Sequence, residues 1–257
     1  MDDTPNNRNI ALLIDADNAS HEALDPVLTV LAELGTVNIR RAYGNWSKPG
    51  LKNWEPLTTQ YGIEPQQQFD ITKGKNATDM KMTIDAMDLL FRARVDGFGI
   101  MSSDGDFMPI AMRIRQDGLP VYGFGNERTP LGFQQACTRF IVVEALMATS
   151  KSTAAELAPP ESSPPQSVKQ DASAPSAKHK PVIAPQVIKL LADAIDAAKP
   201  NGLGYASLGE VGKIAGNRSS FDVRNYGFKR LSDLLGSIPN FEVKRLDSGS
   251  IYVRRIR

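Results

Sequence analysis

Residues 10–18 read IALLIDADN: five apolar residues in a row, then two aspartates and an asparagine within four positions. A short unbroken apolar run ending in acid is how a strand buried on both faces of a parallel sheet reads. The chain beyond it keeps alternating. Helical spacing covers 21–34 and stops at Gly35, and 36–43 reads as a second strand. A helix over 51–61, a third strand over 63–69 and a strong helix over 78–94, with Thr78 placed to cap it, come next. A fourth strand (98–102), a helix (106–116), a fifth strand (120–124) and a last helix (132–147) complete the pattern. Strands alternating with helices predict an α/β fold, a parallel sheet flanked by helices on both faces.

In such sheets ligands bind beyond the carboxyl ends of the strands. Three segments put acids there. The first strand ends in Asp15, Asp17 and Asn18, and the fourth runs into Ser102, Ser103, Asp104 and Asp106. The 78–94 helix opens with Asp79. At about 100° per residue, Met82, Thr83, Ala86, Met87 and Leu90 surround Asp79, whereas Lys81, Asp85, Asp88 and Arg92 fall on the far side. This predicts Asp79 in the buried arc and Asp85 and Asp88 in solvent. A buried carboxylate requires a metal, a basic partner or a backbone donor. Several hard oxygen ligands meeting at one point suit Mg²⁺ or Mn²⁺, which polarises a phosphoryl oxygen and acidifies its bound water. Blander readings exist for the separate residues. Asp106 could cap the following helix, Asp79 could favour the helix dipole, and Asn18 could brace the first turn.

The segments LLIDADN (12–18), KGKNATDMKMTIDA (73–86), MSSDGDFMPI (101–110) and GLPVYGFG (118–125) resemble the NYN family, a branch of the PIN-like nucleases that includes the LabA-like proteins. RAYGNW (41–46) resembles that family's second strand and its turn. The likeness spans about 8–147 in the right order and spacing. It implies a PIN-like fold and metal-dependent ribonuclease activity. By position it implies Asp15, Asp79, Asp104 and Asp106 as catalytic and metal-holding acids, with Asn18 as the asparagine of the site. Ser103 stands where the family often has glycine, and the family pattern also carries an acid at Asp85, away from the site on the helical wheel.

Around the site, Lys73 and Lys75 precede Asp79, and Trp46, Lys48, Lys52 and Trp54 follow the second strand. Lysines can track phosphates and tryptophans can stack bases, although Trp54 suits the core equally well. His21 reads as a surface residue, and Cys137 as buried packing.

Residues 149–185 hold seven prolines, many Ser and Ala and no aromatic residue. Such a composition cannot offset its ordering entropy by apolar burial, and it predicts a flexible Pro/Ser/Ala-rich linker. It separates a nuclease-like domain (8–148) from a small domain (186–257). In the latter, helical stretches at 185–198, 208–215 and 228–235 precede a hairpin, 241–246 and 251–255, around Asp247-Ser248-Gly249-Ser250. Three helices and a two-stranded wing predict a winged helix. YASLGEVGKIA (205–215), YGFKRLSDLL (226–235) and the hairpin resemble the LOTUS, or OST-HTH, domain, which implies a role in RNA regulation and, in some relatives, protein partners. Lys229 and Arg230 on the third helix, Lys244 and Arg245 on one wing strand, and Arg254, Arg255 and Arg257 on the other interleave with Tyr226 and Phe228. That pattern suits single-stranded RNA, gripped by phosphate contacts and stacking.

Charge divides the same way. Residues 1–148 carry 14 Lys and Arg against 19 Asp and Glu, a net of −5, and 186–257 carry 12 against 7, a net of +5. The basic part would meet a polyanion and the acidic part hold metal. One cysteine excludes an internal disulfide framework and a cysteine-based zinc site. No run approaches the roughly 20 apolar residues of a membrane span, and the acidic, polar start is unlike a secretory signal. A reducing cytoplasmic setting is expected. Two other functions fit parts of the pattern: a non-catalytic RNA-binding adaptor on a nuclease-like fold, and an aspartate-dependent phosphatase using Asp15 as nucleophile. Dinucleotide binding is excluded, because no G-x-G-x-x-G follows the first strand.

Overall fold

In the computed structural model, residues 8–69, 77–148, 183–201, 204–245 and 249–256 are described. Six parallel strands form the main sheet: β1 (Asn9–Asp15), β2 (Thr36–Gly44), β3 (Glu64–Gln67), β4 (Gly97–Met101), β5 (Val121–Gly125) and β6 (Arg139–Val142). Their spatial order is β3-β2-β1-β4-β5-β6. The chain therefore moves outward from β1 through β2 to β3, then returns to lay β4 on β1's other side. Its topological switch point lies between β1 and β4, where an α/β sheet opens a crevice at the strands' carboxyl ends.

The helices are α1 (Leu24–Ala32), α2 (Glu55–Gln60), α3 (Ala77–Phe91), α4 (Met108–Gln116), α5 (Leu131–Ala136) and α6 (143–148). They cover both faces, so β1 buries every side chain from Ile10 to Asp15. Ile10, Leu12 and Ile14 join the core under α1, while Ala11 and Leu13 join the core under α3 and α4. Full burial of each larger aliphatic is worth about 1.5–3 kcal/mol, which explains why this run fixes the centre of the sheet.

Three local expectations are corrected. The last segment is not one helix: α5 ends at Ala136, and Arg139–Val142 forms the sixth strand, paired with Tyr122–Gly125. RFIV is a short apolar run whose periodicity suits strand or helix; the free edge of β5 decided for strand. Thr78 is not the cap of α3 but lies in its first turn, its hydroxyl donating to Asp17 Oδ2 at 3.3 Å. Buried positions on α3 are Thr78, Met82, Asp85, Ala86, Leu89 and Leu90. The buried arc is thus rotated from the one centred on Asp79, and Asp85 falls inside it, whereas Asp88 is exposed as expected.

The C-terminal unit has α7 (Pro185–Ala197), α8 (Leu208–Arg218), α9 (Leu231–Gly236) and an antiparallel sheet of β7 (Ala206–Ser207), β8 (Phe241–Arg245) and β9 (Ile251–Arg255), in the order β7-β9-β8. Its core gathers Leu191, Ile195, Val211, Leu234, Leu235, Phe241 and Val253. The short strand β7 adds to the expected hairpin. Pro185, placed at the linker's end by composition, opens α7, where its missing N–H costs nothing. Residues 149–182 of the linker lie outside the described residues.

Candidate metal centre

The acids meet at the switch point. Asp15 ends β1, Asp104 and Asp106 follow β4, and Asp79 stands in the first turn of α3. Carboxylate oxygens of Asp79, Asp104 and Asp106 lie within 4.8 Å of one another. Asp15 is adjacent rather than part of that trio: its charge, followed by those of Asp104, Asp106 and Asp17, acts on Asp79.

Asp104 caps the 3-10 turn Gly105–Phe107, its Oδ1 accepting from the Asp106 N–H at 2.9 Å. The capping expectation thus moves from Asp106 to Asp104. That hydrogen bond fixes the loop so that both carboxylates face Asp79. Burial first, then the neighbouring acids, push the Asp79 carboxyl up to about 6.

Asp15 is completely buried. Its Oδ2 accepts from Ser102 Oγ at 2.7 Å and from Asn18 Nδ2 at 3.0 Å. Its Oδ1 is buried and, among the described residues, has no hydrogen-bond partner. Burial raises this carboxyl above the usual range, while Ser102 and Asn18 pull it back. An orphaned buried acceptor is costly. A carboxylate with an unused lone pair, beside three more hard oxygen donors, is the donor set a divalent metal takes.

Ser102 matters more than its place in the sequence announces. Besides holding Asp15, its Oγ accepts from the Asp104 N–H at 3.0 Å, so one hydroxyl couples the acids of β1 and β4. Ser103, the departure from glycine, accepts through Oγ from the Asn126 N–H at 2.9 Å and braces the loop after β5. Gly125 is required nearby, since a Cβ there would lie 2.7 Å from the Ser102 carbonyl oxygen.

Other site candidates separate. Asp17 takes Lys48 Nζ at 3.2 Å and the Thr78 hydroxyl, which ties the β1 turn to the start of α3. Asp85 accepts from Tyr43 Oη at 3.0 Å and Lys81 Nζ at 3.1 Å, with Arg41 at 3.5 Å. These partners balance its charge away from the trio, so Asp85 anchors α3 to β2. Trp54 is 2% exposed and edges onto His21, so it is unavailable to stack a base. Trp46 is partly buried, with Nε1 donating to Gln66 O at 3.1 Å. Cys137 is buried, as expected. Lys73 and Lys75 lie outside the described residues.

In the C-terminal unit, Lys229 and Arg230 precede α9 instead of riding on it, Arg230 being its N-cap. Tyr226 stacks on Phe221 (5.9 Å between centroids), and both pack with Phe228 against the core, which removes the two aromatics expected among the cations. Lys244 and Arg245 are both exposed, but neighbours on a strand point to opposite faces. Lys244 and Arg254 share one face over the ring of Tyr205, at 6.0 and 4.8 Å from its centroid. Tyr205, missed in the sequence, is the aromatic of that face. Arg254 pairs with Glu242 and Arg255 with Asp196. Among the described residues Lys229, Arg230, Lys244 and Arg245 form no ion pair, whereas Arg257 lies outside them.

A parallel sheet with clustered carboxylates at its switch point, followed by a winged-helix-like unit, defines a nuclease-like α/β protein with an appended nucleic-acid module. The chain belongs to the NYN family: the NYN domain model matches residues 9–145, and the OST-HTH/LOTUS domain model matches 182–253 after it. An uncharacterized protein of Methanocaldococcus jannaschii is 33% identical over 122 residues, 46% of this chain and 48% of that one. The chain thus spans about half the length of that curated relative. Among solved structures, a protein of unknown function from Vibrio parahaemolyticus matches 55% of this chain and 96% of its own at 20% identity and a TM-score of 0.46. An uncharacterized protein of Nitrosomonas europaea matches 36% of this chain and 93% of its own at 26% identity and a TM-score of 0.27. The NYN domain belongs to a nuclease superfamily, and the LOTUS domain supports a role connected with RNA. Among the described residues no helix is long and apolar enough to cross a membrane.

Proposed function

We propose that this protein is a metal-dependent ribonuclease that hydrolyses phosphodiester bonds of single-stranded RNA. The observation that carries this reading is the trio Asp79, Asp104 and Asp106 converging beside the orphaned Oδ1 of Asp15. Mg²⁺ or Mn²⁺, held by these four acids, would polarise the scissile phosphate and lower the pKa of an attacking water. Asn18 and Ser102 hold the Asp15 carboxylate by one oxygen and keep the other directed. Asp106 is the exposed member and faces incoming substrate, while Asp79 and Asp104 are partly sheltered. Lys244 and Arg254 over Tyr205, together with Lys229 and Arg230, would grip RNA phosphates in the second domain. Lys73 and Lys75, which precede Asp79 in the sequence, would do so for the first domain.

The phosphatase reading is disfavoured by burial. A nucleophilic Asp15 must reach its substrate, yet the side chain is fully buried and its Oδ2 is occupied by Ser102 and Asn18. The deciding experiment is cleavage of end-labelled single-stranded RNA by the full chain. EDTA should silence it, and Mg²⁺ or Mn²⁺ should restore it. RNA binding without cleavage under any of these metals would favour the adaptor.

Electrostatics give a second expected result, read without activity. Between the ordinary aspartate pKa and about 6, the folded metal-free protein binds more protons at Asp79 than the unfolded chain does. Stability contributed by this group therefore falls as pH rises through that window. Metal-free Tm should drop between pH 5 and pH 7 relative to Asp79→Asn, and Mn²⁺ at pH 7 should recover it. Superimposable wild-type and variant Tm profiles across this range would remove the acidic repulsion from the account.

A further inference from the structure

The linker's composition suggests two independently moving domains, but the second domain sits on the open edge of the first domain's sheet. β6 is the edge strand, and an uncovered edge presents unpaired backbone groups. Here the Phe140 N–H donates to the Ser220 carbonyl at 3.0 Å. The Asn225 carboxamide does the rest: its Nδ2 donates to the Phe140 carbonyl at 2.8 Å, and its Oδ1 accepts from the Val142 N–H at 2.9 Å. One side chain thus supplies the donor and the acceptor that a seventh strand would present.

Charges flank this seam. The Asp222 carboxylate, 3% exposed, takes Arg224 Nη1 at 3.1 Å and lies 4.0 Å from Arg139 of β6. Arg224 extends through its other nitrogen to Glu33, just after α1. Undocking would cost Asp222 its contact with Arg139 and Arg224 its contact with Glu33. The turn itself cannot peel off, because Phe221, Val223 and Tyr226 pack into the second domain's core.

We propose that residues 220–225 of the second domain are a built-in cap for the β6 edge, and that the two domains act as one rigid body in solution. Resting on the ribonuclease reading, this docking holds the cationic wing at a fixed position relative to the acidic trio. RNA captured by one domain is thereby presented to the other without the search that a loose tether would require.

The test uses the full chain with two separate changes. Asn225→Asp keeps the shape but sets an oxygen against the Phe140 carbonyl. Glu33→Arg lies on the exposed surface of the first domain and repels Arg224. Hydrogen exchange at the Phe140 and Val142 amides should be slow in wild type and at least about tenfold faster in each variant, with a larger radius of gyration by X-ray scattering. Fast exchange of both amides in wild type, at the rate of an open edge, would overturn the docking. In RNA cleavage the variants should raise KM several-fold and leave kcat unchanged. Rapid exchange with unaltered KM would overturn the presentation role. Absence of cleavage by wild type would instead count against the ribonuclease reading, and the exchange data would still decide the docking.

Discussion

Asp104→Asn is expected to lower RNA cleavage by roughly 10³-fold or more at saturating substrate while leaving the fold intact. The substitution keeps the volume and the acceptor that caps the Gly105–Phe107 turn, so the Asp106 N–H retains its partner. What disappears is one negative charge from a trio spaced within 4.8 Å, and with it metal affinity. Asp79→Asn and Asp15→Asn should act alike, for different reasons. At Asp79 a carboxylate already raised to about 6 by burial and its neighbours is replaced by a neutral group. At Asp15 the amide would place an N–H where Ser102 and Asn18 donate or where the orphaned oxygen stands. Losing the repulsion should leave the metal-free Asp79 and Asp104 variants at least as thermostable as wild type near pH 7, which separates a lost site from a damaged fold. Asp88→Asn, exposed on α3, is the control and should cleave normally. Full activity in the Asp104 variant would dismiss the metal assignment.

Removing four cations from the second domain should produce the other large effect. With Lys229, Arg230, Lys244 and Arg245 changed to Gln, RNA affinity of the full chain should fall at low salt. It should also become much less salt-sensitive. Each phosphate contact with single-stranded nucleic acid contributes about 0.7 to the slope of log K against log salt. Four lost contacts would remove at most roughly 2.8 from that slope, so up to about 50-fold of the weakening between 50 and 200 mM salt should vanish. The pairs are not equivalent. Lys244 shares the Tyr205 face with Arg254, whereas Arg245 points away. Lys244→Gln should therefore cost more than Arg245→Gln. Unchanged RNA affinity in the fourfold variant would assign this domain to protein docking.

Covalent order alone carried much of this. The run at 10–14 is apolar without interruption, and only a strand covered on both sides can bury it, so the parallel sheet and its central strand followed from local composition. Aspartates at 15, 104 and 106 sit at strand ends, and ligands in such sheets meet strand ends, so their convergence was legible as well. Matters settled by a partner distant in sequence were not. β6 became a strand because β5 offered an edge to RFIV, and periodicity does not encode that edge. Asp85 lies inside because Tyr43, 42 positions earlier, supplies a hydroxyl, and a helical wheel treats its helix in isolation. Ser102 couples Asp15 to Asp104 only once β1 and β4 lie side by side. The cap that Asn225 places on β6 spans more than 80 residues of chain, and no local pattern announces an amide that stands in for a strand. Local physics determined which segments bury themselves and where the acids emerge. Tertiary packing decided which polar groups they meet there, because a hydrogen bond has a definite length and direction that only assembled elements can satisfy.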